Sequence, residues 1–230
     1  MDLFPLYNSL RIAIISSIIT FFLGIFFAYE IKKLPRTLKG VLDVFLTLPL
    51  VLPPTVIGFF ILKTLGPNSS LGALVDKAFG ISLVMKWYSA IFATVLVTFP
   101  LMYRTARGAF EAFDENLKYA AQTLGKSNTW IFWKLYLPNS KSGILAGLVL
   151  AFARALGEYG ATSMVAGYTP KKTATISTTV YQLWRTGNDV EAYLWVLINV
   201  FISLLVLLTI NILENKGKVK LKKESLEDLR

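Results

Sequence analysis

The chain has 230 residues, 54% of them hydrophobic, and a net charge of +10. Its mean hydropathy of +0.56 is too high for a water-soluble domain of this size. It holds no cysteine and no histidine, which excludes disulfides, thiol nucleophiles, zinc sites of the usual ligand types and imidazole proton relays.

Five apolar runs approach the roughly 20 residues that a bilayer core requires. They cover residues 9–29, 38–62, 87–104, 142–165 and 192–213. Residues 1–10 lack a basic leader region, and the first run is long and closes on Lys32-Lys33, so it reads as a retained anchor. The expected fold is all-α and membrane-embedded, with a permease domain over 1–215 and a charged tail over 216–230 that mixes Lys and Glu and frays. Five spans put the termini on opposite sides. The turn after the first span, the central loop with its flanks and the tail hold sixteen Lys and Arg, against seven on the other side. The positive-inside bias therefore places the N-terminus outside and the C-terminus in the cytoplasm.

The second span carries Pro49, Pro53 and Pro54. Three prolines in six residues leave backbone carbonyls unpaired at membrane depth, where only buried protein or a watery cavity tolerates them. Pro53 and Pro54 are thus candidates for the lining of a conduit; the plainer reading is a kink for helix packing. The loop over 64–86 is turn-rich and faces outward. Its Asn68-Ser69-Ser70 triplet fits a glycosylation acceptor, a pattern too common to carry weight.

The central loop over 111–138 is polar, long and held between apolar runs. Asp114 is placed to cap a helix in which Phe113, Leu117, Ala120, Ala121 and Leu124 recur at helical spacing, with Glu115, Lys118 and Gln122 opposite. Gly125 ends that helix. A second short helix follows, with Trp130, Trp133 and Leu135, and it stops at Leu137-Pro138. Small alanines beside a reversing glycine suit a surface that another protein grips. Residues 120–127 also match a relaxed phosphate-binding loop. That loop needs a strand feeding a glycine-rich turn at a helix N-terminus, and here a helix between membrane spans precedes it, so nucleotide chemistry belongs on a partner.

In the fourth span Arg154 and Glu158 are four apart, which puts them on one helical face within pairing distance. Charges inside a span face a bundle interior or a wet path. The pair is either a static lock or part of a gate, and Thr162, one turn further on, is a pathway candidate with it. The small residues around the pair let neighbouring helices approach. The threonine-rich segment 168–190 reads as an outer loop, partly helical, that dips toward the membrane.

A proton-coupled secondary transporter using Arg154 and Glu158 is the competing reading, although such proteins show an internal repeat that is not visible here. An intramembrane enzyme lacks any serine-lysine, aspartate or metal constellation within the spans.

The central loop resembles the EAA loop of ABC importer permeases, in which Glu-Ala-Ala, three residues, Gly, nine residues, Ile, one residue and Leu-Pro follow in order. The matching positions here are Tyr119, Ala120, Ala121, Gly125, Leu135, Leu137 and Pro138, with Tyr119 replacing the glutamate and Leu135 the isoleucine. Over nearly the whole chain, residues 48–58, 99–102, 117–125 and 151–167 resemble the molybdate permease family of ABC importers, with sulfate and thiosulfate permeases close to it. The resemblance implies a type I, MetI-like architecture in a prokaryotic inner membrane, spanning it several times. It implies a homodimer worked by two cytoplasmic ATPase subunits and supplied by an extracytoplasmic oxyanion-binding protein. ATP and magnesium would then bind the ATPases, and this subunit would carry no catalytic site, metal or cofactor of its own and no nucleic acid.

Overall fold

The structure, a computed structural model, describes residues 2–227, with side chains described through residue 208. Helix α1, Phe4–Lys32, opens with a proline near its N-terminus, where a missing N–H costs nothing, and closes on Lys32. It packs along α5, Ser89–Glu111, and both lie against α9, Lys141–Leu156. Helix α5 is the most enclosed of the long apolar helices. Around it the main core forms from Ile25, Ala28, Met102, Phe110, Phe113, Tyr136 and Ile144. That core lies at the end of the bundle carrying the central loop, so the loop is continuous with the packed body.

The span expected over 38–62 is two helices, α2, Arg36–Val51, and α3, Pro54–Leu65, which meet at 108°. Pro54 begins α3 and Leu52 is extended, so the proline pair turns the chain instead of bending one continuous helix. Pro49 is tolerated inside α2. The segment expected over 142–165 is also divided. Helix α9 ends at Leu156, and a six-residue helix, α10, Gly160–Val165, restarts beyond Gly157-Glu158-Tyr159. At 16 residues α9 reaches about 24 Å, short of a bilayer core by itself. Among the described residues, three helices and the one bent pair are long and apolar enough to cross a membrane.

The segments read from the sequence as outer loops are more ordered than expected. Residues 64–86 contain α4, Ser70–Phe79, capped by Ser69, whose Oγ accepts from the Gly72 amide at 2.9 Å. In the central loop α6 covers Glu115–Thr123 and α7 covers Asn128–Ile131. One π turn, Phe132–Tyr136, joins α7 to the short α8, Leu137–Asn139. Segment 168–190 contains α11, Ile176–Arg185, held by a Thr175–Thr178 capping box. It is tied to the start of α1: Asn8 Nδ2 donates to the carbonyls of Thr173 and Ala174, at 3.2 and 2.9 Å, and the Ile176 amide donates to Ser9 Oγ at 2.9 Å. The last helix, α12, Asp189–Glu227, contains the fifth run and continues as helix into the tail that was expected to fray; residues 228–230 of that tail lie outside the described ones.

Candidate functional site

The central loop presents a capped helix and a tight reversal. Asp114 Oδ1 accepts from the Asn116 amide at 2.9 Å and starts α6. Gly125 ends it at φ +72°. Its amide bonds the Gln122 carbonyl at 2.9 Å and the Lys126 amide bonds the Ala121 carbonyl at 3.0 Å, the paired closure that a left-handed glycine makes possible. Ser127 then accepts from the Trp130 amide at 3.2 Å and starts α7.

Much of the apolar side of this knob points outward, although Phe113 and Ala121 are buried. Leu117, Tyr119, Leu124 and Trp133 are exposed, Leu124 by 75%, and Ala120 lies among them. Ala121 is buried in the main core, so of the two alanines it positions the helix while Ala120 is available for contact. Leu135 and Leu137 are half-buried against the same core, and Pro138 is exposed. Pro138 does not stop the helical run, which continues to Asn139. The π turn before it widens the helix at the place where a proline ring would meet the carbonyl four residues back.

On the polar side of α6, Glu115 and Lys118 lie half-buried against the protein while Gln122 is exposed. Glu115 Oε1 lies 2.6 Å from Lys32 Nζ and accepts from the Tyr136 hydroxyl at 2.6 Å, while Glu115 Oε2 lies 3.1 Å from Lys118 Nζ. Lys32 Nζ also donates to the Phe110 carbonyl at 2.6 Å and sits 4.4 Å from the centre of the Tyr136 ring. One ammonium thus joins the end of α1, the end of α5, α6 and the π turn. A cleft of about 470 Å³ adjoins this knot, lined by Tyr29, Lys33, Gln122 and Asn128 as well as its charged members. Sequence reasoning placed Glu115 on the face of α6 opposite its apolar positions and assigned Lys32 to membrane topology. Their distance in the chain, over 80 residues, left no local signal of the pairing.

Partial burial pushes the Glu115 carboxyl up, but hydrogen bonds from Lys32, Tyr136 and Lys118 outweigh it and hold it at about 2. Burial and the Glu115 carboxylate together push the Tyr136 hydroxyl up. A folded value below the unfolded one, roughly 4.3, means that the knot's contribution is complete above that pH and is lost as the pH falls toward 2. The difference in thermal midpoint between the protein and its Glu115→Gln variant should therefore be constant from neutral pH to about pH 5 and shrink below about pH 4. A difference that stays unchanged down to pH 3 would contradict the knot.

The remaining candidates gather where the two helix breaks meet. Helix α3 lies on α10. A Cβ added at Gly58 would fall 2.8 Å from Met164 Cβ and 3.0 Å from the Ala161 backbone, and one at Gly160 would fall 3.0 Å from Pro54 Cβ. Pro54 and the Arg154–Glu158 pair therefore border one region, with Pro53 at the turn and Thr162 buried within α10. Arg154 and Glu158 do not share one helix, because Glu158 lies in the break after α9. Its Oε1 accepts from the Ala161 amide at 2.8 Å and its Oε2 lies 2.7 Å from Arg154 Nη1, close in distance but misaligned as a hydrogen bond, hence an ion pair. The Glu158 side chain is 1% exposed and that of Arg154 34%. The carboxylate thus satisfies the restarted helix and its own charge together.

Residues 20–215 match the model of the binding-protein-dependent transport system inner membrane component family. The chain belongs to this family. It is 37% identical over 201 residues to the molybdenum transport system permease protein ModB of Escherichia coli (strain K12), covering 87% of this chain and 88% of that one. It is 35% identical over 229 residues to the ModB protein of Haemophilus influenzae, covering 99% and 100%. Among solved structures it resembles a bacterial ABC transporter involved in the import of the acidic polysaccharide alginate, with a TM-score of 0.77 at 18% identity over 93% of this chain and 79% of that one. The fold is therefore the all-helical one of ABC importer permeases, and the chain is a multi-pass inner-membrane transport component.

Proposed function

We propose that this family member is the permease subunit of an ATP-driven molybdate importer, with tungstate as a second cargo. Full-length similarity to proteins named as molybdenum transport permeases carries this reading. Two cytoplasmic ATPase subunits grip the outward apolar side of α6 and α7, around Tyr119, Ala120 and Gly125, and an external binding protein delivers the oxyanion. ATP and magnesium stay on the ATPases, and this subunit supplies the path. The exposed Leu117, Leu124 and Trp133 support the docking role, because an apolar surface at the end of a membrane bundle needs a protein cover.

A second copy completes the path. Helix α2 has no buried residue, and Val44, Phe45 and Val51 beside the Pro53-Pro54 break are exposed. Lipid can cover apolar side chains but not the interrupted backbone after Val51, so protein or water must lie there. In the dimer Pro53, Pro54 and Thr162 border the path, and the Arg154–Glu158 pair locks the restarted helix beside it. Tight capture inside the membrane would stop release, so no side chain here needs to bind molybdate strongly.

The test is uptake into proteoliposomes holding this subunit with its ATPase and binding protein. Uptake of molybdate should require ATP, and equal excesses of tungstate should compete while sulfate does not. Equal competition by sulfate would reassign the cargo, and uptake driven by a proton gradient without the ATPase would replace the ATP-driven reading with a secondary transporter.

A further inference from the structure

Helix α2 carries the approach to the Pro53-Pro54 break, yet it has no buried residue and, among the described residues, meets the main core through the partly buried Leu42 and Leu46. Charge holds the rest. The Asp43 carboxylate pairs with the Arg107 guanidinium and accepts from the Tyr103 hydroxyl of α5. Lys39 of α2 pairs with Glu111 of α5, and Arg107 Nε reaches back to Glu111 at 3.0 Å. The four charges alternate along the contact as Lys39, Glu111, Arg107 and Asp43, so the set is neutral and each member has a partner. Arg107 is at its centre, with its side chain 17% exposed against 28% for Asp43. An acid this close to an otherwise apolar span is costly without such a partner.

The same turn of α5 touches the central loop. The carbonyl of Phe110, between Arg107 and Glu111, takes the hydrogen bond from Lys32 that belongs to the Glu115 knot. One end of α5 is thus tied by ion pairs to α2 on one side and, through the hydrogen bond from Lys32 of α1, to Glu115 of α6 on the other. We propose that Arg107 is a positioning residue for transport: with Asp43 it forms a latch through which movement of the docking knob reaches the broken span. The inference rests on the ATP-driven reading above. An ionic contact suits the role because it fixes direction in the partly wet end of the bundle and can break and reform without uncovering an apolar core.

The experiment measures molybdate uptake and ATP hydrolysis together in proteoliposomes containing the complete transporter. Asp43→Asn keeps the shape and removes the charge, Arg107→Lys keeps the charge and removes the fork, and Asp43→Glu restores a carboxylate. In Asp43→Asn and Arg107→Lys the uptake per ATP should fall about tenfold while hydrolysis continues, and Asp43→Glu should recover most of the ratio. A ratio within about twofold of the unsubstituted transporter in both variants overturns the latch. So does a loss confined to the amount of assembled complex, with the surviving complexes coupled normally, because that marks a static staple. If the unsubstituted transporter itself shows no ATP-driven uptake, the functional reading and the latch fall together; if it is coupled, only the latch is at stake.

Discussion

Replacing Gly125 by valine is expected to cut ATP-driven uptake to roughly a tenth or less while the subunit still inserts and assembles, since about 1–2 kcal/mol of backbone strain falls on one turn. The glycine is at φ +72°, and nothing lies within 4 Å of where its Cβ would be. No clash drives the effect within this subunit. A β-branched residue resists the left-handed turn, so the closure onto Gln122 and Ala121 opens and the angle between α6 and α7 is lost. Asparagine tolerates that conformation, so a Gly125→Asn variant should retain most uptake, which separates the turn from the mere presence of a side chain. Normal uptake by the valine variant would remove the docking role from this loop.

Removing Arg154 should have the largest effect on stability. Glu158 is almost fully buried, and without Arg154 only the Ala161 amide would remain to offset its charge. Breaking a fully buried pair on one side costs about 3–5 kcal/mol, and with the Arg154 side chain 34% exposed the cost here falls toward the lower end, so Arg154→Ala should still reduce the yield and thermal midpoint of the purified transporter. Adding Glu158→Gln to that variant removes the orphaned charge, keeps an acceptor for the Ala161 amide and should recover much of the loss. If Arg154→Ala instead assembles with an unchanged midpoint and alters only transport or ATP hydrolysis, the pair is a gate and not a lock.

These two cases mark the reach of local sequence signals. Asp114 as a cap, Gly125 as a terminator and Pro53-Pro54 as an interruption depend on backbone preferences within a few residues, and the structure contains each of them. The spacing of Arg154 and Glu158 correctly suggested contact, but through the wrong intermediate. A continuous helix would place them on one face, whereas the chain breaks between them and the carboxylate serves the next helix. Pro138 shows the reverse error: a residue that usually ends a helix is absorbed by a π turn, whose last residue, Tyr136, is buried in the core together with Ile131 just before it.

The orientation of α6 was beyond any periodicity argument. Its apolar and polar positions were legible, but the usual rule would turn the apolar side inward. The structure divides that side: Phe113 and Ala121 are buried, Leu117, Ala120 and Leu124 are exposed, and Glu115 on the other side pairs with Lys32, more than 80 residues away. Asp43 was likewise hidden in a run read as apolar, and its partner Arg107 was counted among the residues that set topology.

The amino-acid order by itself determined that this is a helical membrane component, that the chain is interrupted at Pro53-Pro54 and that the central loop carries a capped helix closed by Gly125, because hydropathy and the demands of proline and glycine act over short stretches of chain. Only the tertiary structure decided which side of the knob faces out, which distant charges meet around α5 and how the two breaks come to lie together. Ion pairs between helices and close glycine contacts arise from packing geometry, which no single stretch of sequence contains.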